Sequence, residues 1–201
     1  MADRLAADAV GIARAADLLR DGALVAFPTD TVYGIGCRTG DPAAIDRIFA
    51  AKRRDPEKAI PWLVGSRADV EGAGFRIDAR AQRLAERFWP GALTLVLPSA
   101  SGPSTQAFRV PDHPVALELL AAAGPLAVSS ANRSGEPETL DADDVAIAFA
   151  DSGEPSAILD GGRVPGGVAS SVLDLSGPIA RLLREGALSR GEIEAVIGPI
   201  D

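Results

Sequence analysis

Cysteine and histidine are almost absent from this chain of 201 residues, which holds one of each, Cys37 and His113. A lone cysteine excludes an intramolecular disulfide and suits a reducing compartment. Clusters of Cys and His that bind metal are excluded on the same count. The single histidine stands in Val110-Pro111-Asp112-His113-Pro114, at the start of a helical stretch and away from any serine. That placement argues against a Ser-His-Asp hydrolase. No apolar run approaches the roughly 20 residues of a membrane span. Met1-Ala2-Asp3-Arg4-Leu5 lacks the basic-then-apolar order of a secretory signal, so a cytoplasmic location is expected. Positive charge is also scarce, with 20 Lys and Arg against 28 Asp and Glu. The net charge of −8 disfavours broad nonspecific nucleic-acid binding, although basic residues cluster at 47–58. No Gly-x-x-x-x-Gly-Lys-Ser/Thr occurs, so there is no P-loop.

What remains is an ordinary globular composition, 47% hydrophobic and 24% charged, enough for one core over residues 1–201. The Ala-, Leu- and Arg-rich stretch 3–20 reads as a helix stopped at Asp21-Gly22. Ala23 to Phe27 is a short buried strand bounded by Gly22 and Pro28. Asp41-Pro42 supplies an N-cap and an N1 proline for a helix to Lys52. Strands are expected at 60–64, 93–97, 126–129, 157–159, 171–175 and 179–183. Helices are expected after Ser66 and Asp78, at 114–123 and 141–150, and after the capping box of Ser189 and Glu192. Interleaved helices and strands, with a close strand pair across Ser176-Gly177-Pro178, predict an α/β fold with a mixed sheet. Trp62, Phe88 and Trp89 read as core, and Cys37 as a small buried hydrophobe.

The strand at 23–27 empties into Pro28-Thr29-Asp30-Thr31-Val32-Tyr33-Gly34-Ile35-Gly36. Hydroxyls, a carboxylate and glycines there lie at a sheet's carboxyl edge, where open α/β sheets bind ligands. Further blocks follow in order: Lys52-Arg53-Arg54, Phe88-Trp89-Pro90-Gly91-Ala92-Leu93-Thr94, Phe108-Arg109-Val110-Pro111, Ser129-Ser130-Ala131-Asn132 and Leu183-Arg184-Glu185-Gly186. Together they resemble the YrdC-like family, the threonylcarbamoyl-AMP synthases, from about Leu18 to about Arg190. Longer members carry an extra C-terminal domain, so the resemblance is to the short, single-domain form.

The resemblance implies a twisted mixed β-sheet flanked by helices, and an enzyme making threonylcarbamoyl-AMP and pyrophosphate from L-threonine, bicarbonate and ATP. It assigns Thr31, Arg109 and Ser170 to threonine. It assigns Lys52, Arg54, Lys58, Thr105, Ser130, Asn132 and Arg184 to ATP. On composition alone the basic cluster would be a solvated helix end, because cations favour helix C-termini. Convergent Lys and Arg nevertheless suit a polyphosphate, with Arg adding a bidentate fork. Gly161 to Gly167, read alone, is a flexible connection, and in the family it precedes the serine at 170. Mg²⁺ is expected to arrive on the nucleotide, since no carboxylate cage is visible. The product would feed proteins that transfer threonylcarbamoyl to tRNA, with tRNA itself a candidate ligand. Glu138 departs from the small hydroxyl expected at its position, and Ala59-Ile60 replaces the usual Pro-Leu. Two alternatives stand beside the synthase: a YciO-type RNA-binding relative without this activity, and a carbamoyl-adenylating module that takes another amine.

Overall fold

The computed structural model describes residues 2–201. In chain order its elements are β1 (Asp3–Ala6), α1 (Ala9–Arg20), β2 (Val25–Phe27), β3 (Gly34–Arg38), α2 (Pro42–Lys52), β4 (Trp62–Leu63), α3 (Arg67–Gly72), α4 (Ala79–Phe88), β5 (Leu93–Pro98), β6 (Thr105–Arg109), α5 (Pro114–Ala123), β7 (Leu126–Ser130), α6 (Ala142–Ala148), β8 (Ala157–Asp160), β9 (Ser171–Asp174), β10 (Arg181–Arg184) and α7 (Arg190–Ile197).

The N-terminus corrects one expectation. Residues 3–6 form a strand parallel to β8, and the first helix starts only at Ala9. Asp8 explains the break, because its carboxylate caps the helix by accepting from Val10 N at 3.1 Å and Gly11 N at 2.9 Å. Gly11 permits the tight turn, since a Cβ there would fall 1.9 Å from the Ala6 carbonyl. Two short strands were also not anticipated, β3 and β6. β3 closes a hairpin with β2, so the first motif is a hairpin loop at the carboxyl end of β2.

The ten strands form one mixed sheet in the order β1-β8-β2-β3-β7-β4-β6-β5-β9-β10. Strand alternation divides the side chains between its two faces. Trp62 pairs with Ala127 on one side and Phe108 on the other, so these three share a face. That face is covered along its whole width. α2 and α6 pack on Ile35, Cys37 and Ala127, while α3, α4 and α7 pack on Leu93, Leu95, Phe108 and Leu173. Edge-to-face rings of Trp62, Phe75 and Phe108, with centroids 5.0–6.2 Å apart, stiffen the region beneath β6. Cys37 is fully buried, and burial pushes its thiol up to about 12, so it stays a neutral core residue.

The opposite face is only half covered. α1 and α5 pack on Val25, Phe27, Leu126 and Leu159. Beyond β7 no helix follows, so Thr94, Val96, Ala107, Arg109 and Val172 are left lining an open cleft. The topology therefore places the site on the second half of one sheet face.

Candidate functional site

The cleft encloses about 300 Å³ and has an apolar floor with polar walls. Its first wall is the loop between β2 and β3. Thr29, which is buried, organises that loop: its hydroxyl donates to Val32 O at 2.7 Å and accepts from Thr31 N at 3.2 Å. This side-chain turn fixes Thr31 with its hydroxyl 3.0 Å from that of Thr29. Gly34 lets β3 lie flush with β7, because a Cβ there would meet Val128 Cγ1 at 2.7 Å.

Arg109, at the end of β6, is the hub of the next wall. Its Nη1 donates to Thr31 Oγ1 at 3.0 Å, its Nε to the Gly91 carbonyl at 2.9 Å, and its Nη2 to the Asp30 carboxylate. Side-chain exposures of 8% for Arg109 and 16% for Asp30 make this a buried ion pair rather than a surface one. Burial lowers the proton affinity of Arg109 and Arg184 lowers it further, while Asp30 opposes both.

The basic cluster divides into three residues with different fates. Lys52 is 2% exposed and stands behind the cleft. Its ammonium donates to the carbonyls of Ser130, at 2.5 Å, and of Asn132. Longer contacts reach Ser130 Oγ at 3.5 Å and Asn132 Oδ1 at 3.4 Å, so Lys52 braces the 129–132 turn from below. Burial, then repulsion from Arg54, pulls it down to about 8, against an opposing pull from Glu138. Arg53 ends α2 in a left-handed conformation, φ 50°, and turns the chain so that Arg54 enters the cleft. Arg54 donates to Ser129 Oγ at 3.3 Å and to the Ala59 carbonyl at 3.0 Å, and its buried Nε has no partner. Lys58 is exposed in the turn beyond, outside the cleft lining.

Ser130 lines the cleft, and its hydroxyl donates to Asn132 Oδ1 at 2.6 Å. Asn132 is buried beside it, its Nδ2 donating to the Glu136 carbonyl at 2.7 Å. The fourth wall joins β9 and β10. Ser170 shares a hydrogen bond of 2.8 Å with Thr94, and its carbonyl accepts from Arg184 Nε at 3.0 Å and Nη2 at 2.7 Å. Thr105 is exposed at the far end of β6 and does not line the cleft; it shares a strand face with Ala107 and Arg109.

The glycine-rich segment 161–167 is tied down rather than free. Tyr33 donates to Gly162 O at 2.7 Å and accepts from Gly161 N at 3.2 Å. Burial raises the phenol to about 12, so that link holds a proton throughout the neutral range. Gly167 N donates to Thr31 O at 3.1 Å, and a Cβ on Gly166 would fall 1.5 Å from that same oxygen.

Six residues singled out in the sequence therefore share one cleft: Thr31, Arg54, Arg109, Ser130, Ser170 and Arg184. Lys52 and Asn132 support it, and Lys58 and Thr105 lie outside its lining. Thr29, Asp30, Thr94 and Ser129 stand in the quoted motifs without an assigned ligand; each joins the site through a contact distant in sequence or through a local turn. Among the described residues, Lys52, Arg54 and Arg184 have no carboxylate within 4 Å, while Arg109 has Asp30. Convergent cations without counter-ions make a site for an anion. No group of three or more His, Cys, Asp or Glu gathers into a metal site among the described residues.

A family model described as "Telomere recombination", for the Sua5, YciO and YrdC proteins, matches residues 17–186. The chain belongs to this family. It is 40% identical over 208 residues to the threonylcarbamoyl-AMP synthase of Bacillus subtilis, covering 98% of this chain and 60% of that protein. The solved structure of P. abyssi Sua5 complexed with L-threonine superposes with a TM-score of 0.90 at 40% identity, covering 100% of this chain and 62% of that one. The chain thus spans about three-fifths of the length of these two relatives. E. coli YciO shares the fold, with a TM-score of 0.83 at 23% identity over 96% of this chain and 100% of that one.

Proposed function

We propose that the chain is an L-threonylcarbamoyladenylate synthase, a nucleotidyltransferase that joins L-threonine, bicarbonate and ATP into threonylcarbamoyl-AMP and pyrophosphate. The observation that carries the reading is the cleft's division into two kinds of cationic site. Arg54 and Arg184 have no carboxylate partner and suit phosphates. Arg109 is held rigidly by Asp30, Thr31 and Gly91, with two N–H groups left over, and suits one small carboxylate. A relative that is 40% identical bears the synthase name, and another was solved with L-threonine.

In this reading Thr31, Arg109 and Ser170 hold threonine. Arg54, Ser130 and Arg184 hold ATP directly, and Lys52 and Asn132 fix the turn that presents Ser130. Lys58 and Thr105 would reach the nucleotide only where it extends past the cleft lining. Threonine's amine adds to carbon dioxide drawn from bicarbonate and loses a proton, giving a carbamate. A carbamate oxygen then attacks the α-phosphorus, and the bond to pyrophosphate breaks. The protein's work is orientation and neutralisation of charge; no side-chain nucleophile is needed. Mg²⁺ would travel on the phosphates, with water completing its shell. Glu138 is the single carboxylate on the lining, which suits an ion carried by the substrate rather than caged by the protein.

The product suits onward transfer to a tRNA adenosine by partner proteins. A cytoplasmic setting matches that role, and no helix among the described residues is long and apolar enough to cross a membrane. The YciO-type alternative rests on shared fold alone at 23% identity. Pyrophosphate release in the presence of ATP, threonine and bicarbonate, and its loss when either of the last two is withheld, is the expected result. Tight, salt-resistant RNA binding without such release would install the alternative.

A further inference from the structure

Glu138 is the one carboxylate on the cleft lining, where the other charged side chains are Arg54, Arg109 and Arg184. Its Oε2 is shielded from solvent and has no hydrogen-bond partner. A buried oxygen left in that state costs roughly 1–3 kcal/mol, so its neighbourhood invites an explanation.

The backbone that carries Glu138 is fixed on both sides. Before it, the Glu136 carbonyl accepts from Asn132 Nδ2 at 2.7 Å, and Pro137 restricts the next φ. After it, the Thr139 hydroxyl donates to the Ala131 carbonyl at 3.1 Å, and Tyr33 N donates to the Thr139 carbonyl at 2.9 Å. The backbone at Glu138 is therefore held on a rigid wall, with the side chain on the cleft lining. The nearby ammonium of Lys52 feels its charge, yet donates instead to Ser130 and Asn132. Glu138 has thus kept its acceptor capacity for something that enters the cleft.

That something cannot be phosphate, since two anions would repel in a partly desolvated site. Phosphates belong by Arg54 and Arg184, which leaves the acid for the uncharged part of the same molecule. We propose that Glu138 is the specificity residue for the nucleoside, its carboxylate accepting hydrogen bonds from neutral O–H or N–H donors of a purine ribonucleotide. Ribose hydroxyls and the exocyclic amine both present such donors. The proposal rests on the cleft being the nucleotide site of the synthase reading.

The test compares binding of ATP, 2′-deoxy-ATP, 3′-deoxy-ATP and inosine triphosphate by calorimetry, without threonine or bicarbonate. Wild type, Glu138→Gln and Glu138→Ser are each measured with and without Mg²⁺. Wild type should hold ATP about tenfold or more above at least one analogue, and that analogue identifies the donor. In Glu138→Ser the preference should shrink to within about threefold, because ATP affinity falls toward that of the analogue. Glu138→Gln keeps an oxygen acceptor and should fall between. Equal affinities in wild type, or a preference that survives in Glu138→Ser, would overturn the assignment. So would a loss confined to Mg²⁺-containing buffer, which would give Glu138 to the metal. If wild type binds no ATP, the synthase reading falls too. If it binds ATP and releases pyrophosphate with threonine but treats all four nucleotides alike, only the role of Glu138 falls.

Discussion

Replacing Arg109 separates its structural work from the threonine contact proposed for it. Its guanidinium has five N–H donors, and Gly91, Thr31 and Asp30 engage three of them. Arg109→Ala would leave the Asp30 carboxylate, 16% exposed, with the Asp112 N–H at 3.1 Å but no counter-charge, and the Thr31 hydroxyl and Gly91 carbonyl without their Arg109 donor. Removing one partner of such a pair costs about 3–5 kcal/mol, a large part of the roughly 5–15 kcal/mol that keeps a domain folded. Arg109→Lys is the sharper probe. It keeps a charge beside Asp30 but loses the planar fork, so it cannot serve three fixed partners and a substrate carboxylate together. Losing a charge-assisted contact of about 1.5–3 kcal/mol should raise the apparent threonine requirement roughly 10–150-fold. The ATP requirement should stay within about threefold of wild type, since Arg54 and Arg184 are untouched. Pyrophosphate release titrated with each substrate measures both, and urea unfolding checks that the variant remains folded. Threonine and ATP requirements rising together would refute a dedicated carboxylate contact.

Three further outcomes follow from the same geometry. Arg54→Ala should weaken ATP binding about 10–100-fold by calorimetry with little loss of stability, because Arg54 bonds only neutral partners, Ser129 and Ala59; unchanged affinity in a folded variant would make Arg54 an ordinary surface cation. Lys52 is held down to about 8 by burial against 10.5 when unfolded. Between those values the unfolded chain binds more protons, so the penalty for burying the charge is full below pH 8 and is relieved as pH climbs toward 10.5. Lys52→Met should therefore flatten the rise of unfolding free energy over that window, and parallel wild-type and variant curves would sink the assignment. Gly166→Ala would press a Cβ onto the Thr31 carbonyl, so it should loosen the 161–167 segment, seen as faster amide exchange there, and weaken threonine binding with it. Unaltered exchange would mean that the segment is not seated on Thr31.

The sequence made most of the core elements visible, because α2, α4, α5 and α7 carry apolar periodicity with Asp, Pro or Ser starts. It misread residues 3–6, since Ala, Leu and Arg favour a helix locally and only pairing with β8 makes them a strand. β3 and β6 were hidden by their composition: Gly34-Ile35-Gly36 reads as a turn, and Thr105-Gln106-Ala107 has little β character. The site was legible as residue types but not as roles. Lys52 and Arg54 are two apart on one motif, yet the left-handed turn at Arg53 sends one behind the cleft and the other into it. No local signal reports that, since it depends on where β7 passes. Likewise Asp30 reads as a polar loop residue until β6 brings Arg109 beside it, 79 positions away.

The half-covered sheet gives one physical reason for the whole arrangement. Covering β5, β6 and β9 on their second face with another helix would bury Val96, Ala107 and Val172 and stabilise the fold. The chain instead leaves that face open and keeps Leu183 56% exposed at its rim. Exposed apolar surface walled by unpaired cations is unfavourable in the empty protein on both counts. A ligand with an uncharged ring and a polyanionic tail relieves both at once, the ring covering the floor and the tail neutralising Arg54 and Arg184. Such binding should therefore stabilise the fold by more than a simple anion does. ATP should raise the unfolding midpoint well above inorganic triphosphate at equal free concentration of the two ligands. Equal shifts would mean that the floor takes no part, and that the cleft recognises charge alone.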